Sequence, residues 1–94
     1  MLTLEAIREK AVPIAKMYNV KHMKLFGSYA DGTATEDSDV DLLVEFNEPP
    51  VASIMTVMGL QLQLSESFGK AVDVVPLPAP RPERLVLNRT EVIL

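Results

Sequence analysis

The stretch "SDVDLLVEF" occupies residues 38–46. Two carboxylates, Asp39 and Asp41, stand one residue apart in front of an apolar run. Side chains alternate along a strand, so the two share one face, about 6.5–7 Å apart. Carboxylates at that spacing can hold one hard cation or two adjacent ones. A third acid, Asp73, interrupts the apolar stretch "AVDVV" at 71–75. A charge inside such a strand is costly to bury unless it is paired or bound to metal. If the two strands are neighbours that start at the same end, all three aspartates converge. Three such carboxylates suit two Mg²⁺ ions about 3.5–4 Å apart, the arrangement used for in-line phosphoryl and nucleotidyl transfer.

The bulk of the chain sets the limits. Ninety-four residues, 48% of them apolar, predict one small folded domain over 1–94. There is no cysteine, which rules out a disulfide framework and a cysteine zinc site. No apolar run reaches the roughly 20 residues of a membrane helix. The start, "MLTLEAIREKAV", is not a signal peptide, so a cytoplasmic protein is expected. The net charge of −4 argues against gripping a nucleic-acid backbone. Asp31, Glu36, Asp37, Asp39, Asp41, Glu45 and Glu48 fall within 18 residues that hold no Lys or Arg. That block either repels itself in solvent or collects cations.

Helical spacing of Leu4, Ile7, Ala11, Ile14 and Met17 predicts a first helix capped by Thr3. Pro13 should kink it or begin a second short helix. "KHMKLFG" at 21–27 reads as a strand, with Met23 and Leu25 on one face and Phe26 opposite. "SYADGTATEDS" is a loop with room for one helical turn, and 39–46 is the second strand. A helix is predicted over 51–68, stopped by Gly69. "KAVDVVPL" is a third strand, "PERLVLNR" a short helix opened by Pro82, and "EVIL" a terminal extended piece. The order αβ(loop)βαβα predicts an α/β fold: a small mixed sheet with helices packed on one face. Asp37, Asp39, Asp41 and Glu48 mimic positions 1, 3, 5 and 12 of an EF-hand. Leu42, however, stands where the sharp turn needs glycine, and the flanks are not two helices.

"FGSYADG" puts Gly27 and Ser28 at the end of the first strand. Glycine lets backbone approach a ligand closely. A helical turn after Ser28 would aim free N–H groups at a phosphate. Eleven residues separate Ser28 from Asp39, enough for one turn of helix and a return.

Taken together, "GSYADGTATEDSDVDLLV" and the later "VDVV" resemble the nucleotidyltransferase superfamily of DNA polymerase beta. The run and the size look most like the minimal nucleotidyltransferases of prokaryotes, and the resemblance covers essentially the whole chain. It implies the polymerase beta-like nucleotidyltransferase fold. It places Gly27 and Ser28 at the triphosphate turn, with Ser38, a serine before the acidic pair that caps locally, also assigned to the nucleotide site. Asp39 and Asp41 match the paired metal ligands. Asp73 matches the third carboxylate, a metal ligand or the base for the incoming hydroxyl. ATP and two Mg²⁺ ions are the implied substrate and cofactors.

Many such proteins are antitoxins paired with a HEPN-type toxin, which makes that toxin the implied partner, in a hetero-oligomer or beside a homodimer. The implied activity is transfer of AMP to a hydroxyl on the partner. A non-catalytic antitoxin and a small-molecule nucleotidyltransferase of the aminoglycoside type are the alternatives. The chain's length weakens the second alternative, because those enzymes carry an extra acceptor domain.

One departure matters. Many relatives read Ala-Arg-Gly where this chain has Ala30-Asp31-Gly32. Asp31 adds repulsion to a triphosphate. Lys24, Lys70 or Arg81 could compensate. His22 and Tyr29 are read as a surface residue and a packing residue.

The helix over 51–68 has two apolar stripes. Val51, Ile54, Met55, Met58 and Leu62 form one, and Val57, Leu60, Leu64 and Phe68 the other. That exceeds the apolar face of somewhat over 100° that a surface helix needs. Either the end segments cover the surplus or it is a contact surface, for which Met55 and Met58 are suited.

Overall fold

The computed structural model describes residues 2–47, 54–76 and 90–94. Helix α1 covers Leu4–Met17, strand β1 Val20–Phe26, the single turn α2 Ser28–Asp31 and strand β2 Val40–Phe46. Helix α3 covers Ile54–Phe68, strand β3 Val72–Pro76 and strand β4 Glu91–Val92. The start of the helix predicted at 51 and the short helix predicted at 82–89 lie outside the described residues.

The four strands form one mixed sheet in the order β3-β2-β1-β4. β1 runs antiparallel to both β2 and β4, and β2 runs parallel to β3. Strand alternation decides which side is covered. Met23 and Leu25 of β1, Val40, Leu42 and Val44 of β2, and Val72 and Val74 of β3 point to one face. There they form a single core with Ile7, Ala11 and Ala15 of α1 and Leu60, Leu64 and Phe68 of α3. This is the expected α/β architecture, with helices on one face of a small mixed sheet. On the opposite face Leu43 is also buried, outside that cluster.

α1 opens as its sequence predicts: Thr3 Oγ1 accepts from the Ala6 N–H at 3.1 Å. One helix runs through Pro13, so that residue does not start a second one. Pro13 is exposed, where water can serve the carbonyl its ring leaves unpaired. Met17, at the end of the predicted apolar stripe, is 71% exposed, and Ala15 takes the core position instead.

Strand β1 begins one residue early, at Val20. A register shift between Val20 and His22 leaves both Lys21 and His22 exposed while Val20 and Met23 are buried. Such a bulge inserts one residue and breaks the alternation. "EVIL" does add an edge strand: Ile93 N donates to Met23 O at 2.8 Å, and Met23 N to Leu94 O at 3.1 Å.

β3 is the other edge, and α3 covers it. Val72 N donates to Ser65 Oγ at 3.3 Å and Val74 N to Gln61 Oε1 at 3.1 Å. Two outward N–H groups that would invite another strand are thereby satisfied. The two stripes of α3 part company. Leu60, Leu64 and Phe68 are buried, whereas Ile54, Met55, Met58 and Leu62 are each at least 60% exposed. The surplus apolar face foreseen in the sequence therefore points outward, among the described residues.

That division is measurable. Leu64→Ala removes a fully buried side chain and should cost about 2–5 kcal/mol in urea denaturation. Leu62→Ala, two residues away on the exposed stripe, should stay within about 0.5 kcal/mol of the parent.

Candidate active site

The parallel pairing of β2 and β3 sets Asp41 opposite Asp73. Because Val40, Leu42, Val72 and Val74 face the core, both aspartates face the other side of the sheet. Asp39 lies two residues upstream, exposed, at the mouth of β2. Backbone bonds hold it on both sides: Ser38 N donates to Thr35 O at 3.1 Å, and Val40 N to Ala71 O at 3.0 Å.

The glycine-serine turn meets the same place. Phe26, the last residue of β1, pairs with Asp41. Gly27 follows with φ 74° and ψ −153°, a conformation essentially reserved for glycine. A β-carbon there would also overlap the Asp41 carboxylate. Gly27 thus meets two demands at once, and it brings backbone against a carboxylate of the acidic pair. α2 starts immediately after it. Ala30 N and Asp31 N donate to Gly27 O at 3.1 and 3.0 Å. The N–H groups of Ser28 and Tyr29 precede those first helical bonds and belong to the turn's open end.

The electrostatics are one-sided. The Asp41 carboxyl is held above the usual carboxylate range, first by burial and then by the charges of Asp73 and Asp39. No cation pairs with these three aspartates among the described residues. As they stand, no three His, Cys, Asp or Glu side chains among the described residues are placed to hold a metal ion. Like charges without a counterion spread apart, and Asp39 sits on exposed backbone ahead of the strand. The donor set itself is chemically suited to a hard divalent cation: carboxylate oxygens, with no sulfur or imidazole.

The other sequence candidates fall into place. Ser38 Oγ accepts from Thr35 N at 2.8 Å, the local cap expected of it. Asp31 ends α2 with its side chain exposed, one helical turn from Ser28. Tyr29 is partly buried and packs on the core, as read from the sequence. Lys24 and His22 are exposed on β1, paired with Leu43 and Glu45. Glu48 and Arg81 lie outside the described residues. The EF-hand mimicry ends at Val40, where a strand replaces the calcium loop. Lys70 was missed as a structural tie. Its Nζ donates to Tyr29 Oη at 2.6 Å and to Glu36 O at 3.1 Å. No sequence signal links residues 41 and 34 positions apart.

The sequence pattern of the family described as "Nucleotidyltransferase domain" matches residues 5–91. The chain belongs to that family. It is 39% identical over 79 residues to the protein adenylyltransferase MntA of Thermococcus cleftensis, spanning 80% of this chain and 78% of that one. A solved structure of a candidate minimal nucleotidyltransferase superposes with a TM-score of 0.73 at 35% identity, covering 96% of this chain and 95% of the other. A chain in the complex of a tri-AMPylated HEPN toxin from Shewanella oneidensis with an MNT antitoxin gives a TM-score of 0.74 at 19% identity. That match covers 98% of this chain and 72% of the other and speaks to the fold alone. This chain is a minimal nucleotidyltransferase in fold and family.

The raised affinity of Asp41 for protons has a consequence for stability. In metal-free protein the native state binds this proton more tightly than the unfolded state does. Stability is therefore lost as pH rises through the folded value and regained as pH falls toward the ordinary value of 3.8. Asp41→Asn should stabilise the metal-free domain at pH 7, because the neutral amide escapes both the burial penalty on the charge and the repulsion from Asp73 and Asp39. The gain should fade in acid and vanish below pH 3.8, as read by thermal melts in EDTA across pH.

Proposed function

We propose that this domain moves AMP from ATP to a side-chain hydroxyl of a partner protein, releasing pyrophosphate. The acceptor is a tyrosine of a HEPN-type ribonuclease toxin, and the domain is the antitoxin of that pair, acting in the cytoplasm. The observation that carries this reading is local. Asp41 is opposite Asp73 on β3, and its carboxylate lies against Gly27 at the head of the phosphate-type turn. The relative named as a protein adenylyltransferase, 39% identical to this chain, supports the transfer of AMP to a protein.

Each residue has a task in this scheme. Gly27 lets the triphosphate approach the backbone, and Ser28 offers an N–H and a hydroxyl to its oxygens. Ser38 holds the connector so that Asp39 enters beside the nucleotide. Asp39, Asp41 and Asp73 are the residues that would hold Mg²⁺. When bound, two such ions supply charge neutralisation and alignment of the α-phosphate with its leaving group. The acceptor oxygen forms a bond to the α-phosphorus, and the bond from that phosphorus to the bridging oxygen of pyrophosphate breaks. Asp73, exposed at the sheet face, takes the phenolic proton. An adenylylated tyrosine would carry a bulky anion, which beside the toxin's catalytic groups blocks RNA by charge and size.

Co-expression tests this directly. Intact-mass spectrometry of the partner should show added AMP with the parent domain and none with Asp39→Asn/Asp41→Asn. An unmodified partner that the double variant still neutralises would favour inhibition by contact alone.

Asp31 tunes the same site. One unfavourable charge a few ångströms from the phosphates, screened by water, is worth about 1 kcal/mol. Asp31→Arg should tighten ATP binding tenfold or more in a calorimetric titration. Unchanged affinity would place that side chain away from the nucleotide.

A further inference from the structure

Lys70 lies between Gly69, which ends α3 with φ 70°, and Ala71, which leads into β3. Its ammonium has two oxygen partners on two different segments. Tyr29 Oη, on α2, accepts at 2.6 Å, and the carbonyl of Glu36, in the connector before β2, accepts at 3.1 Å. The same ammonium lies 5.0 Å from the centroid of the Tyr29 ring. The next residue is tied as well: Ala71 O accepts from Val40 N at 3.0 Å. Two consecutive residues therefore touch the turn that follows Gly27, the connector that carries Asp39 and the first residue of β2. Two residues further along the chain comes Asp73.

We infer that Lys70 is a positioning residue that locks the Gly27–Ser28 turn and the Asp39 connector onto β3 before any nucleotide arrives. This rests on the reading of the site as a nucleotide site. The physical need is plain. Residues 35–37 are exposed, and among the described residues the connector's other side-chain bonds are short-range ones between Thr35, Asp37 and Ser38. A segment with so little packing samples many conformations unless it is pinned. Hydrogen bonds from an ammonium are roughly twice as strong as neutral ones. An ordered connector spares the nucleotide the ordering cost, which otherwise weakens binding. Lysine suits the task because its donors swivel toward two oxygens in different directions. None of the three site aspartates is among its partners, so its effect on chemistry is indirect.

Hydrogen exchange followed by mass spectrometry, on metal-free and nucleotide-free protein, tests the lock. Lys70→Met keeps most of the stem and removes the ammonium. Exchange should speed up about tenfold or more at the amides of Ala30, Asp31, Thr33 and Ser38, all hydrogen-bonded in the native turn and connector. Exchange in α1 and β1 should be unchanged. Tyr29→Phe, which keeps the ring and loses one acceptor, should give a smaller effect, and Lys70→Arg should restore most of the protection. In the transfer reaction Lys70→Met should raise the KM for ATP about tenfold and lower kcat by less than threefold.

Unchanged exchange over residues 28–40 in Lys70→Met would overturn the assignment. So would faster exchange spread evenly over the whole domain, which would mean general destabilisation. The exchange arm uses no nucleotide. A parent protein that bound no ATP would defeat the nucleotide reading and leave the exchange pattern to decide the role of Lys70 by itself.

Discussion

The parallel pairing of β2 with β3 is the constraint on which the site depends, because it puts Asp41 and Asp73 side by side. The alternation that buries Val40, Leu42, Val44, Val72 and Val74 forces the two aspartates out together on the other face. A slip of one residue in either strand would drive a carboxylate into the core and a valine into water. Burial of the aliphatic set, at about 1.5–3 kcal/mol for each fully buried side chain, outweighs the screened repulsion between the carboxylates. The core thus imposes a charge arrangement that would not form by itself.

α3 enforces this register from outside the sheet. Gln61 and Ser65 accept from the N–H groups of Val74 and Val72, on the two sides of Asp73. Leu60, Leu64 and Phe68 take the core at the same time. Gly59 lets Tyr18 press against the helix, since a β-carbon there would sit 3.2 Å from the Tyr18 hydroxyl. Tyr18 in turn accepts from Gln63 Nε2 at 2.9 Å. With those positions committed to α1 and β3, Met55, Met58 and Leu62 are left facing outward. The exposed stripe follows from how the helix is held.

Most of this was legible in the sequence wherever a period was clean. Alternation in "DVDLLVEF" and "AVDVV" located both strands and the shared face of the aspartates. Gly69 marked the end of α3, and Thr3 the start of α1. The misses have specific causes. A bulge at Lys21 and His22 breaks the alternation that would have located Val20 as the first residue of β1. Met17 follows helical spacing, but its turn reaches beyond the core that Ala15 already fills. Of the two outcomes read at Pro13, a second short helix does not occur, because α1 continues through that exposed position. Lys70, Tyr29 and Glu36 meet only through the fold, since lysine before a strand reads as a solvated charge in any single sequence. In the site, the convergence of all three aspartates was legible only as a condition on strand order; the pairing meets it for Asp41 and Asp73, while among the described residues no three acids are placed to hold one metal ion. The exact demand on Gly27 was not, because it depends on the Asp41 carboxylate reaching across from β2.

Charge balance shapes how such a site is filled. Seven acids lie within residues 31–48, and no Lys or Arg interrupts them. Lys70, the cation tied to this region, has its ammonium committed to Tyr29 and Glu36. A bare triphosphate would approach a negative surface, with Asp31 one turn from the Gly27–Ser28 end and the three aspartates opposite. On the proposed reading, attraction must come from cations that arrive with the nucleotide. The raised proton affinity of Asp41 belongs to the same balance: burial first, and then the charges of Asp73 and Asp39, disfavour its ionised form in the empty protein. Affinity for a nucleotide then depends on how firmly the turn and the connector are held when the charge arrives. On that reading a loose connector would let Asp39 wander, and the arriving nucleotide would bear the cost of ordering it. Asp41 and Asp73 need no such tie, because the hydrophobic core on the far side of the sheet fixes the register that sets them side by side.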